Sequence, residues 1–141
     1  MKFDLHTHHY RCGHASGSIE DYIVSAIEAG ITAIGISDHS PYFAHELDHP
    51  QPTIAMARSE FPNYIAEVLR LKEKFKDKIE VLLGVESDFY PEHLDLYRSS
   101  YASYPFDYII GSVHQTRGVS IFNRNRWKNL AESKHAEEKR H

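Results

Sequence analysis

The sequence has one cysteine, no long apolar run and no excess of basic charge, and each shortage removes a class of protein. Cys12 has no second cysteine with which to close an internal disulfide, so the disulfide-stapled secreted scaffolds are excluded. No stretch approaches the roughly 18 consecutive apolar residues of a membrane-spanning helix, and no apolar segment of the secretory type follows Met1. These shortages predict a cytoplasmic protein that does not enter a membrane. A formal net charge of −4 argues against a nucleic-acid-binding surface. The one dense basic run, residues 72–78, is interrupted by Glu73 and Asp77 and reads as the solvated face of a helix.

What the chain has in abundance is histidine, with 11 in 141 residues. The length and a hydrophobic content of 41% predict a single domain over residues 1–141, with a polar carboxy-terminal segment over 124–141 that is either a surface helix or a segment lacking its partner.

Periodicity divides the chain into alternating strands and helices. Residues 2–5 are predicted as a short strand, and Ser18-Ile19-Glu20-Asp21 has the form of a capping box opening a helix that Gly30 ends. The β-branched run at 31–36 suits a strand covered on both faces. A Pro- and His-rich loop follows, then a second helix whose inner face carries Phe61, Tyr64, Ile65, Val68, Leu69 and Phe75, with Pro62 in its first turn. Residues 79–85 are predicted as a strand, 91–103 as a helix and 106–113 as a strand. The order β-α-β-α-β-α-β predicts an α/β fold with parallel strands and helical crossovers.

Set on that frame, the polar residues show a regularity. His6, His8, His39, Glu86 and His114 each fall at or just past the carboxyl end of a predicted strand. In a parallel sheet all carboxyl ends lie on one side, so residues far apart in sequence converge. In Asp4-Leu5-His6-Thr7-His8 the period of two puts Asp4, His6 and His8 on one face, where two imidazoles can close on one ion. Imidazole and carboxylate suit zinc, iron or manganese, and a carboxylate such as Glu86 can bridge two ions, so a multinuclear centre is expected.

Other candidates are less determined by position. His14 sits in the loop Cys12-Gly13-His14-Ala15 and could serve as a ligand or as a loop residue. Cys12 reads as a small buried residue rather than a ligand. Asp38 could hold the second nitrogen of His39 in the tautomer a metal needs, or could serve a turn. His9, next to His8, could face a substrate. Arg117, just past His114, is the nearest candidate for a phosphate clamp, and Arg11 is a weaker one.

The motifs Asp4-Leu5-His6-Thr7-His8, Cys12-Gly13-His14-Ala15, Ser37-Asp38-His39-Ser40-Pro41, Gly84-Val85-Glu86 and Gly111-Ser112-Val113-His114 resemble those of the PHP (polymerase and histidinol phosphatase) superfamily. The likeness covers residues 2–127 and is nearest to the monofunctional histidinol-phosphate phosphatases. It implies the amino-terminal portion of a distorted (β/α)7 TIM-like barrel, with up to three divalent ions at the carboxyl edge of the strands. Position by position, it implies that His6, His8, His14, His39, Glu86 and His114 are metal ligands, with Glu86 bridging. The implied activity is hydrolysis of L-histidinol phosphate in histidine biosynthesis, with Glu86, His39 and His114 acting through bound metal.

The family's late βα units, with a further His and an Asp-x-His motif, have no counterpart here. A complete barrel takes on the order of 250 residues, so the chain reads as an amino-terminal fragment. Two further readings follow. One is a related phosphoesterase acting on a nucleotide, a nucleic-acid end or phosphotyrosine. The other is a non-catalytic, metal-binding half-barrel that self-associates through its uncovered edges. An amidohydrolase ranks below these, because no Lys stands at a matching strand end to bridge two ions.

Overall fold

The computed structural model describes residues 2–13, 15–48, 54–116 and 119–120. The chain divides into two compact units, Met1–Gly111 and Ser112–His141.

The first unit is built as alternating strands and helices: β1 (Phe3–Asp4), α1 (Ile19–Glu28), β2 (Ala33–Ile36), α2 (Phe61–Lys74), β3 (Glu80–Asp88), α3 (Leu94–Ala102) and β4 (Tyr108–Ser112), whose last residue opens the second unit. The sheet order is β1-β2-β3-β4. Pairing is parallel, with Phe3 opposite Ala33 and Ala33 opposite Glu80. This is the sheet expected for the amino-terminal part of a TIM-like barrel, in which each strand returns through a helix to lie beside the last.

The helices start and stop where their sequences dictate. The Ser18 hydroxyl accepts from the Asp21 amide and the Asp21 carboxylate accepts from the Ser18 amide, both at 3.1 Å, which satisfies two of the four free donors at the start of α1. Gly30 leaves that helix at φ 76°, a conformation that costs an ordinary residue about 1 kcal/mol or more. Pro62 lies in the first turn of α2, where its missing N–H costs nothing. Phe61, Tyr64, Ile65, Val68 and Leu71 of that helix are buried at helical spacing against β2 and β3, and Ile19, Ile23 and Ala26 of α1 join the same core.

Two glycines explain how β4 meets the sheet. A methyl group on Gly35 would lie 2.0 Å from the Tyr108 hydroxyl, and one on Gly84 would lie 2.4 Å from the Tyr108 ring. The ring therefore crosses β2 and β3 where neither has a side chain, and its hydroxyl donates to the Leu5 carbonyl at 2.6 Å. Gly35 inside a β-branched run is thus a seat for an aromatic ring.

Two strand bounds depart from the sequence expectation in an informative way. β3 runs three residues past 85, through Glu86, Ser87 and Asp88, and all three are buried. The apolar run ends at 85, but the pairing continues, with the Glu86 amide donating to the Asp38 carbonyl at 3.1 Å. A short antiparallel pair, β5 (Gln115–Thr116) with β6 (Val119–Ser120), lies in the second unit where no strand was expected. His14, Arg117 and the segment 124–141 lie outside the described residues. Among the described residues no helix is long and apolar enough to cross a membrane.

Candidate metal centre

The first histidines are placed by β2. Thr7 turns toward that strand, donating its hydroxyl to the Gly35 carbonyl at 2.8 Å and its amide to the Ser37 hydroxyl at 3.1 Å. Its neighbours His6 and His8 share the opposite side, the alternation expected of an extended segment although regular pairing ends at Asp4. The edges of β2 and β3 are joined in the same way. The Glu86 amide donates to the Asp38 carbonyl at 3.1 Å and the Ser40 amide to the Glu86 carbonyl at 2.9 Å, so His39 sits beside Glu86 in a parallel bridge.

Three ligand atoms from these segments meet. His6 Nε2 lies 3.0 Å from His8 Nε2, His6 Nε2 lies 3.4 Å from Glu86 Oε2, and His8 Nε2 lies 3.1 Å from the same oxygen. A tetrahedral ion with bonds of about 2.0–2.1 Å sets its ligand atoms about 3.3 Å apart. The triangle therefore has the dimensions of one face of such a site, and a divalent cation fits the residues present. Proton placement leads to the same conclusion. His8 Nδ1 lies 3.3 Å from Asp38 Oδ1, a carboxylate oxygen that can only accept, which leaves the Nε2 lone pair facing the Glu86 oxygen. Acceptors that converge in this way need a cation between them.

Without metal, that cation is a proton. Burial pulls the His8 pKa down, but hydrogen bonds to Asp38, Cys12 and Glu86 and the Glu86 charge outweigh it and push it up to about 11. The next residue goes the other way. His9 is 1% exposed, and burial lowers its pKa to about 4 against the opposing pull of Asp38. The reading of His9 as substrate-facing is therefore corrected, since its ring stacks on Tyr64 inside the core at 5.6 Å. Its Nδ1 lies 3.2 Å from Asp38 Oδ2 without hydrogen-bond alignment, and its Nε2 has no hydrogen-bond partner among the described residues.

Of the two readings of Asp38, the hydrogen bonds agree with the turn. The ring of His39 is held by the Ser40 carbonyl, 2.7 Å from Nδ1, while Asp38 accepts from the His39 backbone amide at 3.0 Å. Its carboxylate serves His8, the carboxylate–histidine pairing that raises ligand basicity. Tyr64 holds the turn beneath it, with its hydroxyl 3.0 Å from the Ile36 carbonyl, 2.6 Å from the Gly84 carbonyl and 3.3 Å from the Asp38 amide. Cys12 is fully buried, as expected of a small core residue, but its sulfur joins His8 and Asp38 in a second group of potential ligands. Arg11 is not a free phosphate clamp. Its Nη1 pairs with Glu67 at 2.6 Å and its Nε with Glu60 at 3.2 Å, tying the turn at Tyr10–Cys12 to α2.

His114 lies in the second unit, two residues past β4, with Nδ1 3.4 Å from the Ser112 hydroxyl. One residue with metal-ligand chemistry escaped the sequence reading. Asp88 is two positions beyond Glu86 on β3 and therefore on the same face, with its Oδ2 3.4 Å from His39 Nε2. The period of two from Glu86 would have found it, had the strand been extended. Beside His6 and His8 an open cavity of ≈ 490 Å³ is bounded by Asp4, Tyr22, Ile31 and Ile34. That is room for a small molecule.

The PHP domain pattern matches residues 4–139. The chain belongs to the PHP domain family. Among curated relatives of this PHP chain, a probable histidinol-phosphatase of Deinococcus radiodurans is 34% identical over 111 residues, covering 79% of this chain and 41% of the relative. A probable histidinol-phosphatase of Schizosaccharomyces pombe is 33% identical over 137 residues, covering 91% of this chain and 44% of the relative. The chain thus spans under half the length of the curated relatives it matches. The histidinol phosphate phosphatase of Lactococcus lactis, solved with zinc, L-histidinol and phosphate, superposes with a TM-score of 0.72 at 24% identity, over 87% of this chain and 44% of that one. This likeness establishes that the PHP chain has the fold of the corresponding part of that enzyme.

Proposed function

We propose that this chain carries the metal-binding, amino-terminal portion of a phosphomonoester hydrolase that converts L-histidinol phosphate to L-histidinol and phosphate. The observation that carries the reading is the triangle of His6 Nε2, His8 Nε2 and Glu86 Oε2 at 3.0–3.4 Å, on a fold shared with an enzyme solved with zinc, L-histidinol and phosphate. His6, His8 and Glu86 would hold one divalent ion, and His14, His39 and His114 are the proposed ligands of others. Zinc, iron and manganese all suit this donor set.

A bound divalent cation supplies Lewis acidity toward a phosphoryl oxygen and acidifies water. The chain supplies position. Asp38 fixes the His8 ring with its Nε2 lone pair toward the ion, and Tyr64 fixes Asp38 through its backbone. Thr7 locks the spacing of the two imidazoles against β2. The cavity beside His6 and His8 would admit the organic part of a small phosphorylated substrate. Arg117 is the proposed phosphate clamp. This role belongs in the cytoplasm, where the single Cys12 stays reduced.

The experiment is phosphate release after reconstitution with zinc, manganese or ferrous iron, comparing L-histidinol phosphate with a nucleoside monophosphate and with phosphotyrosine. Fastest release from L-histidinol phosphate is expected. A preference for either other substrate would replace it by the related phosphoesterase reading. Metal binding without any release would leave the non-catalytic half-barrel. That last reading has its own observation, because Phe3 on β1 and Ile109 on β4, the two outer strands of the described sheet, are 62% and 49% exposed. Self-association through these edges would show as a dimer by light scattering.

A further inference from the structure

The carboxylate that holds His8 has a second oxygen, and that oxygen faces a second imidazole. Asp38 Oδ1 lies 3.3 Å from His8 Nδ1 and accepts from the His39 amide at 3.0 Å. Asp38 Oδ2 lies 3.2 Å from His9 Nδ1. Asp38 is fully buried and His9 is 1% exposed, and neither Oδ2 nor either ring nitrogen of His9 has a hydrogen-bond partner among the described residues. A buried acceptor and a buried ring nitrogen in that position are more stable paired than apart. The contact already has the separation of a hydrogen bond and falls short in angle, which a small turn of the ring or of the carboxylate supplies. Because a carboxylate oxygen can only accept, the pairing puts the ring proton of His9 on Nδ1.

The surroundings of His9 hold it to this task. Its ring stacks on Tyr64 with centroids 5.6 Å apart and lies against Tyr10 at 5.9 Å. Its carbonyl accepts from the Cys12 thiol at 3.1 Å, which fixes the backbone at the turn Tyr10–Cys12. Tyr64 reaches both members of the pair, since the hydroxyl of the ring that stacks on His9 accepts from the Asp38 amide at 3.3 Å. One phenol thereby sets imidazole and carboxylate relative to each other. An apolar ring would fill the same space without burying two nitrogens, so packing alone does not call for histidine here.

We propose that His9 is a positioning residue for the metal centre, donating from Nδ1 to Asp38 Oδ2 and so fixing the carboxylate whose other oxygen orients the His8 ring toward the ion. His9 acts on the ion only through Asp38, and Asp38 only through His8. Two adjacent histidines thus divide the work, His8 on the ion and His9 behind it in the core. The inference rests on the metal-dependent reading above, but on none of its substrate assignment.

The test uses the full chain, purified without a histidine tag and stripped of metal. Zinc affinity is measured by competition with a chromophoric chelator, with circular dichroism and a thermal melt of the metal-free form as fold controls. An outer partner of a metal-bound histidine is worth about 10–100-fold in affinity, and His9, one residue further out, belongs at the lower end. His9→Phe, which keeps a flat ring on Tyr64 and removes the donor, is expected to weaken zinc binding about tenfold. His9→Asn, whose amide nitrogen stands where Nδ1 does, is expected to recover most of that loss. His9→Gln, whose amide reaches the place of Nε2 instead, is not. In the metal-free parent the nitrogen-15 spectrum of the His9 ring, assigned by its disappearance in H9N, is expected to show the proton on Nδ1, the tautomer a free imidazole side chain disfavours. Parental zinc affinity in a folded H9F overturns the proposal. An equal loss in H9F, H9N and H9Q makes the ring a packing element and overturns it too, as does a proton found on Nε2. Should H9F fail to fold, H9N against H9Q decides, and equal affinities there overturn the proposal. A parent that binds no zinc overturns this inference together with the metal-dependent reading, whereas zinc binding indifferent to position 9 overturns the inference alone.

Discussion

The lower half of the sheet and its carboxyl edge are made by the same strands and are equally buried, yet they differ in chemistry. Along β3, Val81, Leu83 and Val85 are 0–1% exposed, and the next three residues, Glu86, Ser87 and Asp88, are 5–8% exposed. β2 shows the same change, from Ile34 and Ile36 to Ser37, Asp38, His39 and Ser40. Apolar burial stabilises by roughly 25 cal/mol per Å2, whereas a buried polar group is a cost unless each acceptor finds a donor. At this edge imidazole meets carboxylate, His8 with Glu86 at 3.1 Å and His39 with Asp88 at 3.4 Å. The fold's stability is thus generated below, and the edge above gathers the donor types that suit a divalent cation.

The contrast is broken most directly from below. Leu83→Ala removes a fully buried side chain from the core and is expected to cost about 2–5 kcal/mol, read as a lower denaturant midpoint with and without metal. Glu86→Gln, three residues on, should add an effect that depends on metal. The metal-free protein is expected to lose some stability, since the Glu86 charge helps hold the His8 proton and removing one partner of a buried pair leaves the other short. Zinc at about a hundred times its dissociation constant stabilises a folded site by about 2.7 kcal/mol, and that increment should vanish in the variant. A parental zinc-induced rise in melting temperature that survived E86Q would remove Glu86 from the site.

Tyr64 links the halves and sharpens the comparison at smaller scale. Its ring belongs to the apolar core, stacked between His9 and Phe61, and its hydroxyl reaches the Ile36 and Gly84 carbonyls. Tyr64→Phe leaves those carbonyls and the Asp38 amide short of a partner, an expected loss of about 1–3 kcal/mol. Zinc affinity should fall as well, because the turn carrying Asp38 loses its anchor. Unchanged zinc affinity in a destabilised variant would confine Tyr64 to the core.

Legibility in the sequence followed the same divide. The capping box at Ser18, the helical stripe from Phe61 to Leu71 and the four sheet strands could be read because each depends on local spacing of apolar or capping residues. His6, His8, His39 and Glu86 could be nominated because parallel strands share one carboxyl edge. Asp88 could not, because Glu86-Ser87-Asp88 breaks the apolar run that defines a strand, and only the pairing of β3 shows that it continues. The ring partner of Asp38 could not be read for a related reason. The sequence left it between the His39 ring and a turn, whereas the backbone turns the carboxylate toward His8, 30 positions away. The second unit's β5–β6 pair rests on strands of two residues each, too short to carry a period.

The narrowest contrast is a pH dependence that separates two adjacent histidines. In the metal-free protein His8 has its pKa raised from 6.5 to about 11, so the stability it contributes is fully present below pH 6.5 and is lost as pH rises through about 11. For His9, lowered from 6.5 to about 4, the folded state disfavours the proton. Its contribution is present above pH 6.5 and is lost as pH falls through about 4. The metal-free protein should therefore weaken toward both alkaline and acid pH, by different residues. His9→Phe is expected to flatten the acid limb and leave the alkaline one, and His8→Asn the reverse, as read from denaturant midpoints between pH 4 and pH 10. Zinc should reshape the alkaline limb alone, because the ion takes the place of the His8 proton and binds more tightly as pH rises. An acid limb that moved with zinc would mean that His9, not His8, gives up a proton to the metal, and the division between the buried core and the cation-binding edge would then have to be drawn one residue later.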